Sequence, residues 1–119
     1  MAMRGQLPQQ NGDRERYDVQ IDIKKAYISG ICVMLKEDDV IKASVINEFG
    51  VSATDFTYAN DKITLVNLMK QLDKWYIRRT LRKDLRNVMH NLQEGKEKYE
   101  NTKYNITYNF SLQHQECAE

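Results

Sequence analysis

Ile28-Ser29-Gly30-Ile31-Cys32-Val33-Met34-Leu35 is followed at once by Lys36-Glu37-Asp38-Asp39 and by a second apolar run, Val40 to Ile46. The two runs read as neighbouring strands of an antiparallel sheet, joined by the charged link at 36–39. The first is apolar on both faces, and Gly30 in its middle points to a bulge or to a close approach against the backbone. In the second, Ile41, Ala43 and Val45 point one way while Lys42 and Ser44 point the other.

Upstream, Tyr17, Val19, Ile21 and Ile23 alternate with Asp18, Gln20, Asp22 and Lys24. This period of two marks a half-buried strand that ends or bends at Lys25-Ala26. Residues 1–13 are Gln-rich, with Gly5, Pro8 and Gly12, and read as a flexible lead-in. Downstream, Asn47-Glu48-Phe49-Gly50 is a turn, Ser52 to Tyr58 a strand, Ala59-Asn60-Asp61-Lys62 a tight connection and Ile63 to Val66 a short strand. Turn signals every 10–12 residues or so indicate an up-and-down meander.

The period then changes. Asn67 is placed to cap a short helix carrying Leu68, Met69 and Leu72. Ile77, Leu81, Leu85, Val88, Met89 and Leu92 form one helical stripe, and Gly95 ends it. From Tyr99 the period is two again, with Tyr104, Ile106, Tyr108, Phe110 and Leu112 on one face of a single long strand. The sequence therefore predicts an α+β fold: a curved antiparallel half-barrel of about six strands, with a helical block before the last strand covering the concave face. The expected boundaries are a lead-in at 1–13, one domain at 14–112 and a polar tail at 113–119.

A chain of 119 residues suffices for one core. Its formal net charge of +1 selects neither nucleic acid nor an anionic surface through a gross field. Cys32 reads as a buried inert thiol and Cys117 as a tail thiol; a bridge would require the tail to reach the core. No stretch approaches the roughly 20 apolar residues of a transmembrane helix, and residues 1–13 carry no apolar signal core. A cytosolic chain and a mature chain with a trimmed start both fit that observation.

No nucleophile elbow, phosphate loop or metal-ligand spacing stands in the sequence, so no catalytic residue, metal or cofactor is assigned. His90 and His114 read as helix-end and tail residues. Asp38-Asp39 reads as turn chemistry, and the sequons at Asn105 and Asn109 as chance. The strongest polar feature is a basic helix face on which Arg78, Arg79, Arg82, Lys83 and Arg86 are candidates for an anion site, interrupted by Asp73 and Asp84. It has no interleaved stacking aromatics, which disfavours nucleic acid.

The run Ile28–Lys36, the Asn47–Gly50 turn, Ser52-Ala53-Thr54-Asp55-Phe56 and the helix ending Leu81-Arg82-Lys83-Asp84-Leu85 resemble small bacterial envelope proteins of the Lol type, the lipoprotein carriers and receptors. The resemblance covers about residues 17–95. It implies a half-barrel with a helix plugging its mouth, a non-enzymatic role in holding acyl chains, and a periplasmic or cell-envelope setting. The partners implied are a lipid or acyl chain and an envelope protein, with peripheral membrane contact compatible. On this reading the concave face, lined by Ile31, Val33, Phe56, Trp75, Tyr104, Tyr108 and Phe110, binds an apolar or acylated ligand, and Leu81, Leu85 and Met89 make the helix a lid. The alternative is an interaction module whose concavity is simply filled.

Overall fold

Tyr17, Val19 and Ile21 are buried while their neighbours Asp18, Gln20 and Asp22 are exposed, so the first alternating segment does form a one-sided strand. The computed structural model describes residues 7–23 and 26–113, and Lys24, Lys25, His114 and Cys117 lie outside the described residues. The strands are β1 (Arg14–Ile23), β2 (Ala26–Glu37), β3 (Val40–Asn47), β4 (Ser52–Ala59), β5 (Lys62–Leu68), β6 (Lys98–Asn101) and β7 (Ile106–Leu112). Between β5 and β6 come a short 3-10 turn, Lys70–Leu72, and the helix α1, Trp75–Gln93. All seven strands pair antiparallel in the order β5-β4-β3-β2-β1-β7-β6.

The sheet curls into a half-barrel, and α1 packs against β5, β6 and β7 in its mouth. Leu81, Leu85, Val88, Met89 and Leu92 meet an inner face built from Tyr17, Cys32, Met34, Val45, Phe56, Tyr108 and Phe110. Burying a side chain of this kind contributes about 1.5–3 kcal/mol. The helix stripe alone therefore contributes on the order of 10 kcal/mol, comparable to the whole stability of a small domain at about 5–15 kcal/mol. The helix is a structural wall, and swinging it away as a lid would unfold the chain. Cys32 is fully buried, and desolvation pushes its thiol well above the usual range, as an inert core thiol requires.

Four expectations are corrected. First, there is no single strand from Tyr99 to Leu112. Asn101 Oδ1 accepts the Tyr104 N–H, Asn105 takes a positive φ of 56°, and the chain turns between β6 and β7. Polar–apolar alternation running through the turn hid it, and Tyr104 is a turn residue. Second, Asn67 lies within β5 instead of capping a helix, and only the 3-10 turn precedes α1. Third, residues 7–13 are not loose: Leu7 and Pro8 are buried, and Gly12 N donates to Lys36 O at 2.7 Å. Fourth, the sheet is more than a meander, because β7 returns to pair with β1, Tyr17 opposite Leu112.

Gly30 is where β2 and the end of β3 come closest. A Cβ there would lie 1.9 Å from the carbonyl oxygen of Ile46 and 2.8 Å from Cα of Asn47, both backbone atoms. Pairing of β2 with β1 runs through Gly30 without a break, and the register shifts lie instead in β3–β4, between Val45 and Ile46, and in β4–β5, between Asp55 and Phe56. Gly50 has φ of +83° with open space around it. Gly30→Ala is thus expected to destabilise by about 3 kcal/mol or more through overpacking against backbone, and Gly50→Ala by only about 1 kcal/mol through its positive φ. Urea unfolding of the two variants checks the order.

The far end of α1 is held by the β4–β5 turn, where Asn60 and Asp61 both take positive φ. Arg86 donates to the Asp61 carboxylate at 2.6 Å and to its carbonyl at 3.0 Å, and His90 Nε2 pairs with the same carboxylate. The hydrogen bond from Arg86 foremost, then that from His90, holds the Asp61 carboxyl well below its ordinary value. A depressed carboxylate stabilises the fold above its unfolded pKa and loses that contribution as pH falls through the folded one. The melting temperature of the parent should therefore exceed that of Asp61→Asn at neutral pH, and the gap should close as the pH is taken below the ordinary 3.8. The pair is exposed, so the gap is small and shrinks with salt.

Candidate functional site

Helical spacing puts Tyr76, Thr80, Lys83 and Asn87 on one flank of α1, at intervals of four, three and four. That flank faces the β6–β7 hairpin across a cleft of about 490 Å³, whose opposite wall carries Tyr99, Asn101, Lys103 and Tyr104. Trp75 and Tyr76 stand edge to face at 5.7 Å at one end of the cleft. Lys103 lies 5.4 Å from the centre of the Tyr104 ring. A second depression of about 240 Å³, almost wholly apolar, lies beside it and is lined by Ile23, Ile77, Leu81 and Ile106. Tyr76, Thr80 and Tyr104 are shared by both and form the wall between them.

The floor of the cleft is a buried polar cluster. Asp84 is 3% exposed. It accepts the Tyr108 hydroxyl at 2.7 Å and the Asn101 amide at 2.9 and 3.0 Å. Next to it Asn87 donates to the Tyr99 hydroxyl at 3.0 Å. Burial first, and the neighbouring Asp84 charge second, push the Tyr108 hydroxyl far above its ordinary pKa, so it stays a donor to the carboxylate at any working pH. Asp84 is thus a structural carboxyl group whose oxygens are engaged by Tyr108 and Asn101.

The cations of α1 divide by their partners. Arg78 is held by Asp73 at 2.6 Å and Arg86 by Asp61. Arg79 and Lys83 line the cleft and make no ion pair among the described residues, and Arg82 is exposed beyond it. The anion site expected of Arg78, Arg79, Arg82, Lys83 and Arg86 therefore reduces to Arg79 and Lys83, joined by Lys103 from the hairpin. The structure also disperses the ligand set expected on the concave face. Phe56, Leu81, Leu85, Met89, Tyr108 and Phe110 are packed core. Ile31 and Val33 pair beside Ile46 and Ser44 on the outer face, because unbroken alternation through Gly30 turns Cys32 and Met34 inward. Trp75 and Tyr104 alone of that set reach the cleft, with Leu81 at the edge of the apolar slot. Thr80, Asn87, Tyr99, Asn101 and Lys103 were missed. The 4-3-4 spacing of polar and aromatic residues along one helix flank is the signal that could have found the first two, whereas the hairpin residues depend on a turn that alternation concealed.

A third depression, about 340 Å³, lies at the other end of the half-barrel among Pro8, Lys36, Asp39 and Asn60. It is walled by turns and gathers neither exposed aromatics nor a group of unpaired cations. No protein-family model, no curated protein and no solved structure matches this chain.

The cluster under the cleft makes a definite demand. Tyr108→Phe should cost about 1–3 kcal/mol, because a buried carboxylate loses a donor it cannot replace with water. The Asp84→Leu, Tyr108→Phe double variant should lose less than the sum of the two single changes, as removal of both partners spares the orphaned group. A double-mutant cycle by urea unfolding measures this.

Proposed function

We propose that this chain is a non-enzymatic binding protein that takes an anionic amphiphile at the mouth between α1 and the β6–β7 hairpin. The observation that carries the reading is the common wall of Tyr76, Thr80 and Tyr104, with unpaired cations on one side and an apolar slot on the other. An anionic head fits against Arg79, Lys83 and Lys103, and an acyl or alkyl tail fits over Ile23, Ile77, Leu81 and Ile106. The cleft lies within the usual range of small-molecule sites, about 300–1,000 Å³. Asp84 lines the floor of the same cleft, bonded to Tyr108 and Asn101, and the three cations Arg79, Lys83 and Lys103 outnumber it there. A cell-envelope setting, where acylated ligands are met, goes with this reading. The ligand then sits at the rim of the half-barrel, and the filled interior supports it from behind.

The filled interior favours one other reading, an interaction module that uses the same flank to meet a protein. Calorimetry with dodecyl phosphate below its micellar concentration separates the two. The amphiphile-binding reading expects saturable 1:1 binding. Arg79→Glu and Lys83→Glu should each weaken it roughly tenfold while leaving the fold intact. Dodecyl maltoside, which has the same tail and no charge, should bind weakly. No heat with dodecyl phosphate, or equal binding of both detergents, would favour the module.

A further inference from the structure

Six large hydrophobic side chains that folding leaves exposed, Tyr27, Phe49, Val51, Trp75, Tyr76 and Tyr104, lie at one end of the half-barrel. This is the end where β1, β3, β5 and β6 finish and where α1 begins. The remaining one among the described residues, Val66, is two residues from the same end of β5. The opposite end, formed by the β2–β3 and β4–β5 turns and the close of α1, exposes no large hydrophobic side chain among the described residues.

The connections alone, without the strand ends beside them, differ in charge in the same sense. The connections and first helical turn at the apolar end carry Lys70, Lys74, Arg78 and Lys103 against Glu48 and Asp73. The connections at the other end carry Asp13, Asp38, Asp39, Asp61, Glu94 and Glu97 against Lys96 and the Arg86 that pairs with Asp61.

We propose that the end of the half-barrel bearing Tyr27, Phe49, Trp75 and Tyr104 seats on the surface of an anionic phospholipid bilayer. Trp and Tyr rings are amphipathic and settle at the level of lipid headgroups, with the apolar body inward and the polar tip wet. Lysines beside them meet the negative surface potential of anionic lipid, and the far end, which exposes no large hydrophobic side chain among the described residues, is left facing water. The rings sit on separate tips, on the β1–β2 side, the β3–β4 turn, the start of α1 and the β6–β7 turn. Such a spread suits a shallow planar contact better than a peptide groove. A twofold pairing of two copies through this end would bring lysine against lysine. No described helix is long and apolar enough to cross a membrane, so the contact proposed is peripheral. Trp75, Tyr76, Lys103 and Tyr104 belong to both the cleft and this end, whereas Tyr27 and Phe49 belong to this end alone.

The full chain supplies its own probe, because Trp75 is the single tryptophan and is 75% exposed. Vesicles of phosphatidylcholine mixed with phosphatidylglycerol should co-sediment the protein and shift Trp75 emission to the blue, and raised salt should weaken both effects. Pure phosphatidylcholine should bind far less. The Tyr27→Ser, Phe49→Ser double variant, altered outside the cleft, should partition at least about tenfold less while binding dodecyl phosphate as the parent does. Lys83→Glu should show the reverse pattern, so failure of the bilayer contact and failure of the cleft reading are told apart. Absence of co-sedimentation with phosphatidylglycerol vesicles, or full partitioning by the double variant, overturns the proposal. So does a Trp75 shift that follows protein concentration without lipid alongside a rise in mass, which would make a second copy the occupant.

Discussion

A curled sheet whose two edges do not meet must cover its inner face with something, and here α1 lies between β5 and β6 to do so. Every other feature depends on that burial. The apolar stripe of the helix, Leu81 to Leu92, is spent inward, which fills the half-barrel. Its flanks are then free to make edges: one meets the Asp61 turn through Arg86 and His90, and the other forms the wall of the cleft. The binding surface is therefore displaced from the concavity to the seam between helix and hairpin. A half-barrel is hollow only if nothing large lies in its mouth, and five buried helical side chains decide the matter energetically.

Where the sequence is informative, a single period controls the outcome. The alternation from Tyr17 to Ile23, the stripe on α1 and the breaker at Gly95 all reappear in the fold, because each reports burial on one face of one element. Gly30 was legible as a close approach but not as to which backbone it touches, since that depends on how β3 returns. The face of Ile31 and Val33 was not legible: β2 is apolar on both sides, and alternation cannot choose between two apolar faces. Asp84 reads as an interruption of a basic face, yet it is three residues from Leu81 and one from Leu85, inside the buried arc. Only its donors on β6 and β7, which arrive from 17 and 24 residues away, make that burial affordable.

The candidate site was partly legible for the same reason. Arg79 and Lys83 stand out in any reading of the helix, and Trp75 and Tyr104 in any list of aromatics. What joined them was the turn at 102–105, where Asn101 and Asn105 bend the chain by side-chain hydrogen bonding and positive φ. Neither effect has a hydrophobic period. Without that turn Tyr104 belongs to a strand face; with it, Tyr104 stands opposite Tyr76.

The pairing of β1 with β7 has a consequence for how the chain is made. Residues 14–23 emerge from the ribosome before one of their two neighbours, residues 106–112, which lies more than eighty residues further along the chain. Between these moments β1 presents a free edge of unpaired amides beside an uncovered apolar face, the state in which sheets recruit foreign strands. The acids and Gln20 that alternate along its other face keep that waiting strand soluble. Synthesis thus orders the assembly: the five-strand meander precedes the helix, and the β6–β7 hairpin, which covers the free edge of β1, follows both.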